Sequence, residues 1–152
     1  FKNKYYANEH GINSRISEIQ FSILNLKLPK VNSWIKQRRK LAKIYSQELH
    51  DTSLKLPMEK VNCKHVFHLY VIRIEKRDQL RKFLNNKGIS SGIHYPTPLP
   101  YLKAYEYLKN KTADFPIAYN YKDKILSLPI YPELGFAKVE YITSKIREFF
   151  NY

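Results

Sequence analysis

A single cysteine, Cys63, excludes an intrachain disulfide framework and fits the reducing setting of a cytoplasmic protein. The four glycines, Gly11, Gly88, Gly92 and Gly135, are too dispersed to build a GxGxxG turn or a P-loop, so nucleotide binding of those two kinds is excluded. No apolar run approaches the roughly 20 residues that a membrane helix needs. The opening Phe1-Lys-Asn-Lys-Tyr-Tyr also lacks the apolar stretch of a signal peptide. A soluble protein with no membrane partner is expected. Methionine occurs only at Met58 and the chain starts at Phe1, so it reads as a piece of a longer product.

Acidic residues are scarce, 13 against 27 Lys+Arg, which leaves a formal charge of +14. Such a charge accompanies nucleic-acid or anionic-membrane binding when it is gathered into one stripe. Here the positives are scattered, except in Lys36-Gln-Arg-Arg-Lys-Leu-Ala-Lys43. Around that run Val31, Ile35, Leu41, Ala42, Tyr45 and Leu49 supply an apolar helix face, so the charges read as its outer surface and no nucleic-acid partner is expected. With 43% hydrophobic and 14% aromatic residues, 152 residues suffice for a folded unit with a real core.

Asn13 or Ser14 can cap a helix whose stripe is Ile16, Ile19, Ile23 and Leu24, giving a helix over about 14–28 with Glu18 in its early turns. Pro29 predicts a break or sharp kink and pushes Leu28 out of helical geometry. A second helix follows over about 31–49, and His50 to Ser53 with Leu56-Pro57 mark the loop into a new unit. The division is therefore a helical arm, 1–50, and a small α/β domain, 51–152. Within the latter, residues 66–74 read as a strand, and a helix with Leu80, Phe83 and Leu84 runs from Asp78 to a cap at Gly88. Residues 89–94 read as a second strand, and Pro96, Pro98 and Pro100 as a stiff extended loop. Helices are expected over 101–108, over 113–121 with Pro116 in the first turn, and over 136–150; 125–129 reads as a short strand. Strand, helix and strand in that order give a small α/β layer.

Cys63, His65 and His68 are zinc-type ligands by chemistry. On a strand, however, His65 and His68 point to opposite faces and no fourth ligand is at useful spacing, so no metal is expected; His68 should be packed or hydrogen-bonded, and His65 near the surface. Asn13, Ser14 and Arg15 bring an amide, a hydroxyl and a guanidinium to free helix N-terminal amides, a cap that also suits an anion. His94-Tyr95-Pro96 sets an imidazole and a phenol at a strand end before a stiffened loop, where polar groups can be presented to a cleft.

Gly11-Ile-Asn-Ser-Arg-Ile-Ser-Glu-Ile-Gln20, His65-Val-Phe-His-Leu-Tyr-Val-Ile-Arg73, Gly92-Ile-His-Tyr-Pro96 and Leu126-Ser-Leu-Pro-Ile-Tyr-Pro132, in this order and spacing, resemble the C-terminal part of the DegT/DnrJ/StrS nucleotide-sugar aminotransferases. The resemblance covers nearly the whole chain and implies the C-terminal segment of a fold type I enzyme dependent on pyridoxal phosphate (PLP), working as a homodimer. It implies amination of a nucleotide-linked keto-sugar, usually with glutamate as amino donor. In that family the Schiff-base lysine lies upstream of the first block, so no catalytic residue is assigned in this chain and the isolated segment is expected to be inactive. The resemblance gives Asn13 a contact with the cofactor phosphate in the neighbouring subunit's active site, with Arg15 as its electrostatic aid or the anchor of the helix. It sets His94 and Tyr95 beside the sugar-nucleotide pocket. The chain departs from the family at Ser17, where an acidic residue is common, at Phe21-Ser22, where small alanines are usual, and at Pro100, where many members have histidine. Two other readings stay open: a non-catalytic regulatory or scaffold relative, and a basic nucleic-acid-binding module.

Overall fold

A computed structural model describes residues 16–151. Its first helix, α1 (Glu18–Lys27), opens on a capping box, in which Ser17 Oγ accepts from the Gln20 N–H at 3.3 Å and Gln20 Oε1 accepts from the Ser17 N–H at 3.0 Å. The helix therefore begins later than the expected residue 14, because Ser17 and Gln20 satisfy its free amides. Pro29 does not break the arm. Leu28 keeps helical angles (φ −52°, ψ −44°), and a single 3-10 turn, Leu28–Lys30, leads directly into α2 (Val31–Leu49). The proline falls in the first positions of that turn, where its missing N–H leaves no bond unmade.

α2 is amphipathic as its sequence implies. Leu41, Ala42, Tyr45 and Leu49 are buried, whereas Lys36, Lys40 and Lys43 are exposed. The buried face packs along α5 (Phe136–Phe150), which contributes Val139, Ile142 and Ile146. Tyr45 is fully buried, stacks on Tyr70 with ring centroids 4.8 Å apart, and donates to the Pro129 carbonyl at 2.9 Å. Burial pushes its phenol well above the ordinary tyrosine range, so it remains a donor at any working pH.

The sheet has two formal strands, β1 (Tyr70–Arg73) and β2 (Ile125–Leu128), paired antiparallel with Tyr70 opposite Leu128 and Ile72 opposite Leu126. These four side chains face the core. Single bridges extend it on both sides, Lys55 against Arg73 and Gly92 against Ser127. The strand expected over 66–74 is thus confined to its second half. Phe67 lies in the left-handed region (φ 48°), and Arg38 Nη1 donates to the carbonyls of Phe67 (3.4 Å), His68 (3.1 Å) and Ile130 (2.7 Å), which takes those groups out of any ladder. The strand expected over 89–94 shrinks to the Gly92 bridge, ahead of prolines that cannot donate to a neighbour.

α3 (Arg77–Asn86) ends in a Schellman arrangement: Gly88 takes φ 74°, its N–H donates to the Asn85 carbonyl, and the Ile89 N–H donates to the Leu84 carbonyl. The segment expected as a helix over 101–108 is 3-10 instead, as Leu99–Tyr101 and Lys103–Leu108. α4 (Pro116–Tyr121) starts at its proline rather than at 113, because the Asp114 carboxylate accepts from the Lys111 N–H at 2.6 Å and holds that stretch as a turn. Among the described residues no helix is long and apolar enough to cross a membrane.

Candidate substrate-side site around His94

On an antiparallel pair, residues directly opposite share a face, and side chains two apart return to it. Gly92 lies opposite Ser127, so Gly92, His94 and Ser127 meet on the face turned away from Leu126 and Leu128. Two short backbone bonds fix the register: Gly92 N–H to the Ser127 carbonyl at 3.0 Å and Ser127 N–H to the Gly92 carbonyl at 2.7 Å. The His94 ring folds back over Gly92, and its Nδ1 lies 2.9 Å from Ser127 Oγ. A methyl group on Gly92 would come within 2.6 Å of His94 Cε1, so the glycine is what gives the ring room. Tyr95 follows across a cis peptide bond, 59% exposed, with its ring edge-on to the imidazole at 5.7 Å.

His94 and Tyr95, the expected substrate-side residues, are chain neighbours whose rings meet edge-on. Asn13 and Arg15 lie outside the described residues. Ser127 and Gly92 were not singled out for this site, although both stand in the quoted blocks. The signal was available: Ser127 is the one polar residue in an otherwise apolar four-residue strand.

The zinc-type residues are spent differently. His65 Nδ1 accepts from the Phe67 N–H at 2.8 Å and its ring lies against Phe67, Cys63 is exposed, and among the described residues no three such ligands converge. His68, expected to be packed or hydrogen-bonded, is exposed, and its backbone carbonyl accepts from Arg38. Neither His65 nor His68 lies on a strand, so alternation of side chains across a sheet does not set their directions.

The basic run of α2 borders an open groove of about 1060 Å³ whose rim carries Lys36, Arg39, Lys40, Lys43 and Lys64. Arg39 is committed within it, forking onto Glu59 at 2.8 and 3.1 Å and donating to the His65 carbonyl at 2.6 Å. These bonds pin the 59–65 loop to α2.

The α2–α5 layer over a narrow antiparallel sheet is the backbone arrangement of the matching part of solved aminotransferase structures. The structure of S. venezuelae DesV in complex with a ketimine intermediate superposes on it with a TM-score of 0.85 at 32% identity, covering 98% of this chain and 40% of that one. An aminotransferase structure from Brucella abortus gives 0.82, also at 32% identity, over 98% and 40%. Residues 1–147 match the DegT/DnrJ/EryC1/StrS aminotransferase family, and the chain belongs to that family. Among curated relatives, a pleiotropic regulatory protein of Geobacillus stearothermophilus is 39% identical, over 99% of this chain and 41% of its own length. The dTDP-3-amino-3,6-dideoxy-alpha-D-galactopyranose transaminase of Aneurinibacillus thermoaerophilus is 31% identical, over 96% and 40%. The chain spans about two fifths of the length of these relatives.

Proposed function

We propose that this chain is the C-terminal segment of a PLP-dependent aminotransferase that converts a nucleotide-linked keto-sugar to an amino-sugar, with glutamate as donor. The observation that supports the reading is the likeness to sugar transaminases over nearly the whole of this chain, in sequence and in backbone, with an imidazole and a phenol meeting edge-on within it. The working form is a cytoplasmic homodimer. Asn13 donates its amide to the cofactor phosphate in the partner's active site and Arg15 adds positive charge there or anchors the helix. When bound, PLP supplies the electron sink for transamination. His94 and Tyr95 bind and orient the sugar nucleotide. No residue of this chain serves as the catalytic base, a task left to the cofactor-binding lysine upstream of the family's first block.

Asn13→Ala in the full-length protein tests the cofactor half of this reading. A hydrogen bond to a charged phosphate contributes about 1.5–3 kcal/mol, so PLP affinity should fall about tenfold or more, read by equilibrium titration. Unchanged affinity would remove Asn13 from the site. A second reading, a non-catalytic regulator, is favoured by the regulatory description of the Geobacillus relative. It predicts no formation of 2-oxoglutarate from glutamate and keto-sugar nucleotide, whereas the aminotransferase reading predicts turnover.

A further inference from the structure

The geometry points to Ser127 as a positioning residue that holds His94 with its proton on Nε2, so that the imidazole meets the sugar nucleotide as a hydrogen-bond donor. This inference rests on the reading of His94 as a sugar-nucleotide contact and adds which ring atom makes the contact and with what polarity.

Ser127 is only 4% exposed. The large majority of buried hydroxyls direct their one hydrogen to an acceptor. Among the described residues the acceptor within reach of Ser127 Oγ is His94 Nδ1, at 2.9 Å. A nitrogen that accepts carries no proton, and a neutral imidazole has one to place, so that proton sits on Nε2. Gly92 completes the arrangement. A Cβ on Gly92 would stand 2.6 Å from His94 Cε1, so the glycine leaves the room in which the imidazole lies over the sheet edge with Nδ1 toward Ser127. Nε2 makes no hydrogen bond with the described residues.

The consequence is chemical. An Nε2–H is complementary to an acceptor oxygen, such as a phosphate oxygen or a sugar carbonyl or hydroxyl oxygen. It offers no lone pair for taking a proton, so the same hydrogen bond that aims the ring also keeps His94 from acting as a base. Ser127 touches no ligand in this scheme and acts only through His94.

The test is made on full-length protein with isotope-labelled histidine, comparing wild type, S127A, S127T and G92A by long-range proton–nitrogen spectra. Wild type and S127T should show an unprotonated Nδ1 and a protonated Nε2. S127A and G92A should shift toward the averaged signals of a free imidazole, since one loses the hydroxyl and the other displaces the ring. In parallel, S127A should raise KM for a keto-sugar nucleotide about fivefold, the loss of one ordinary hydrogen bond, with the donor half-reaction unchanged and S127T restoring KM. A wild-type ring protonated on Nδ1, or an S127A spectrum identical to wild type, would overturn the inference. A spectrum that responds while neither S127A nor H94A alters KM would leave the hold of Ser127 on the ring standing and overturn the sugar-nucleotide reading instead.

Discussion

In α2, Leu41, Ala42, Tyr45 and Leu49 are buried, whereas α1, joined to it by one 3-10 turn, buries nothing. Ile19 is 74% and Leu26 77% exposed on α1, and Ile16, Phe21, Ile23, Leu24 and Leu28 are exposed with them. The two helices show that amphipathic spacing alone does not tell where a helix is covered. α2 finds α5 and the sheet within the described residues; α1 carries apolar surface that those residues leave bare, of the kind that marks an interaction site. The capping box therefore supplies the local stabilisation visible in α1, while α2 is held by tertiary packing, the usual source of helix stability.

The sharpest way to break this comparison is a pair of substitutions in the chain. Tyr45→Ala removes a fully buried ring and the donor to the Pro129 carbonyl, and should cost about 3–5 kcal/mol in denaturant unfolding. Leu26→Ala in α1 should change the same measurement by less than about 0.5 kcal/mol. Comparable losses would mean that α1 is packed as α2 is.

A smaller effect is expected at the sheet edge. Gly92→Ala introduces a methyl 2.6 Å from the His94 ring and should cost about 1–3 kcal/mol, the usual range for overpacking, with displacement of the imidazole visible by nuclear magnetic resonance. The smallest effect is electrostatic. The Arg147 fork lowers the pKa of Asp51, Arg39 lowers that of Glu59, and Lys145 with Lys87 lowers that of Glu148, in each case mainly through the side-chain hydrogen bond. A carboxylate depressed in the folded state stabilises above its unfolded pKa, and that stability is lost as pH falls through the folded value. Thermal stability should hold at neutral pH and decline on acidification through and below the ordinary carboxylate range. Asp51→Asn should flatten that decline slightly, because the pair is exposed and weak.

Helices with a strong apolar stripe were legible in the sequence: α2 and α5 match their expected spans. Gly88 was legible as a cap because only a positive φ ends α3 there. The strands were less so. The shortening of β1 comes from Arg38, 29 residues away from Phe67, and no local pattern carries that information. Pro29 misled because a pre-proline preference is weak against the tightening of one turn. At the candidate site, the family blocks nominate His94 and Tyr95, whereas Ser127 emerges only once Gly92 is paired to it. Sequence adjacency shows which groups a segment offers; the sheet register shows which of them meet.

The reading of His94 as a contact to the sugar nucleotide is tested most directly by separating the two half-reactions of the full-length protein in single-turnover mixes, wild type against His94→Ala. The account predicts that the half-reaction with glutamate keeps its rate, because the donor is small and reacts at the cofactor. The half-reaction with the keto-sugar nucleotide should slow about tenfold, consistent with the loss of a hydrogen bond to a charged group. Equal slowing of both half-reactions, or no slowing of either, would contradict it.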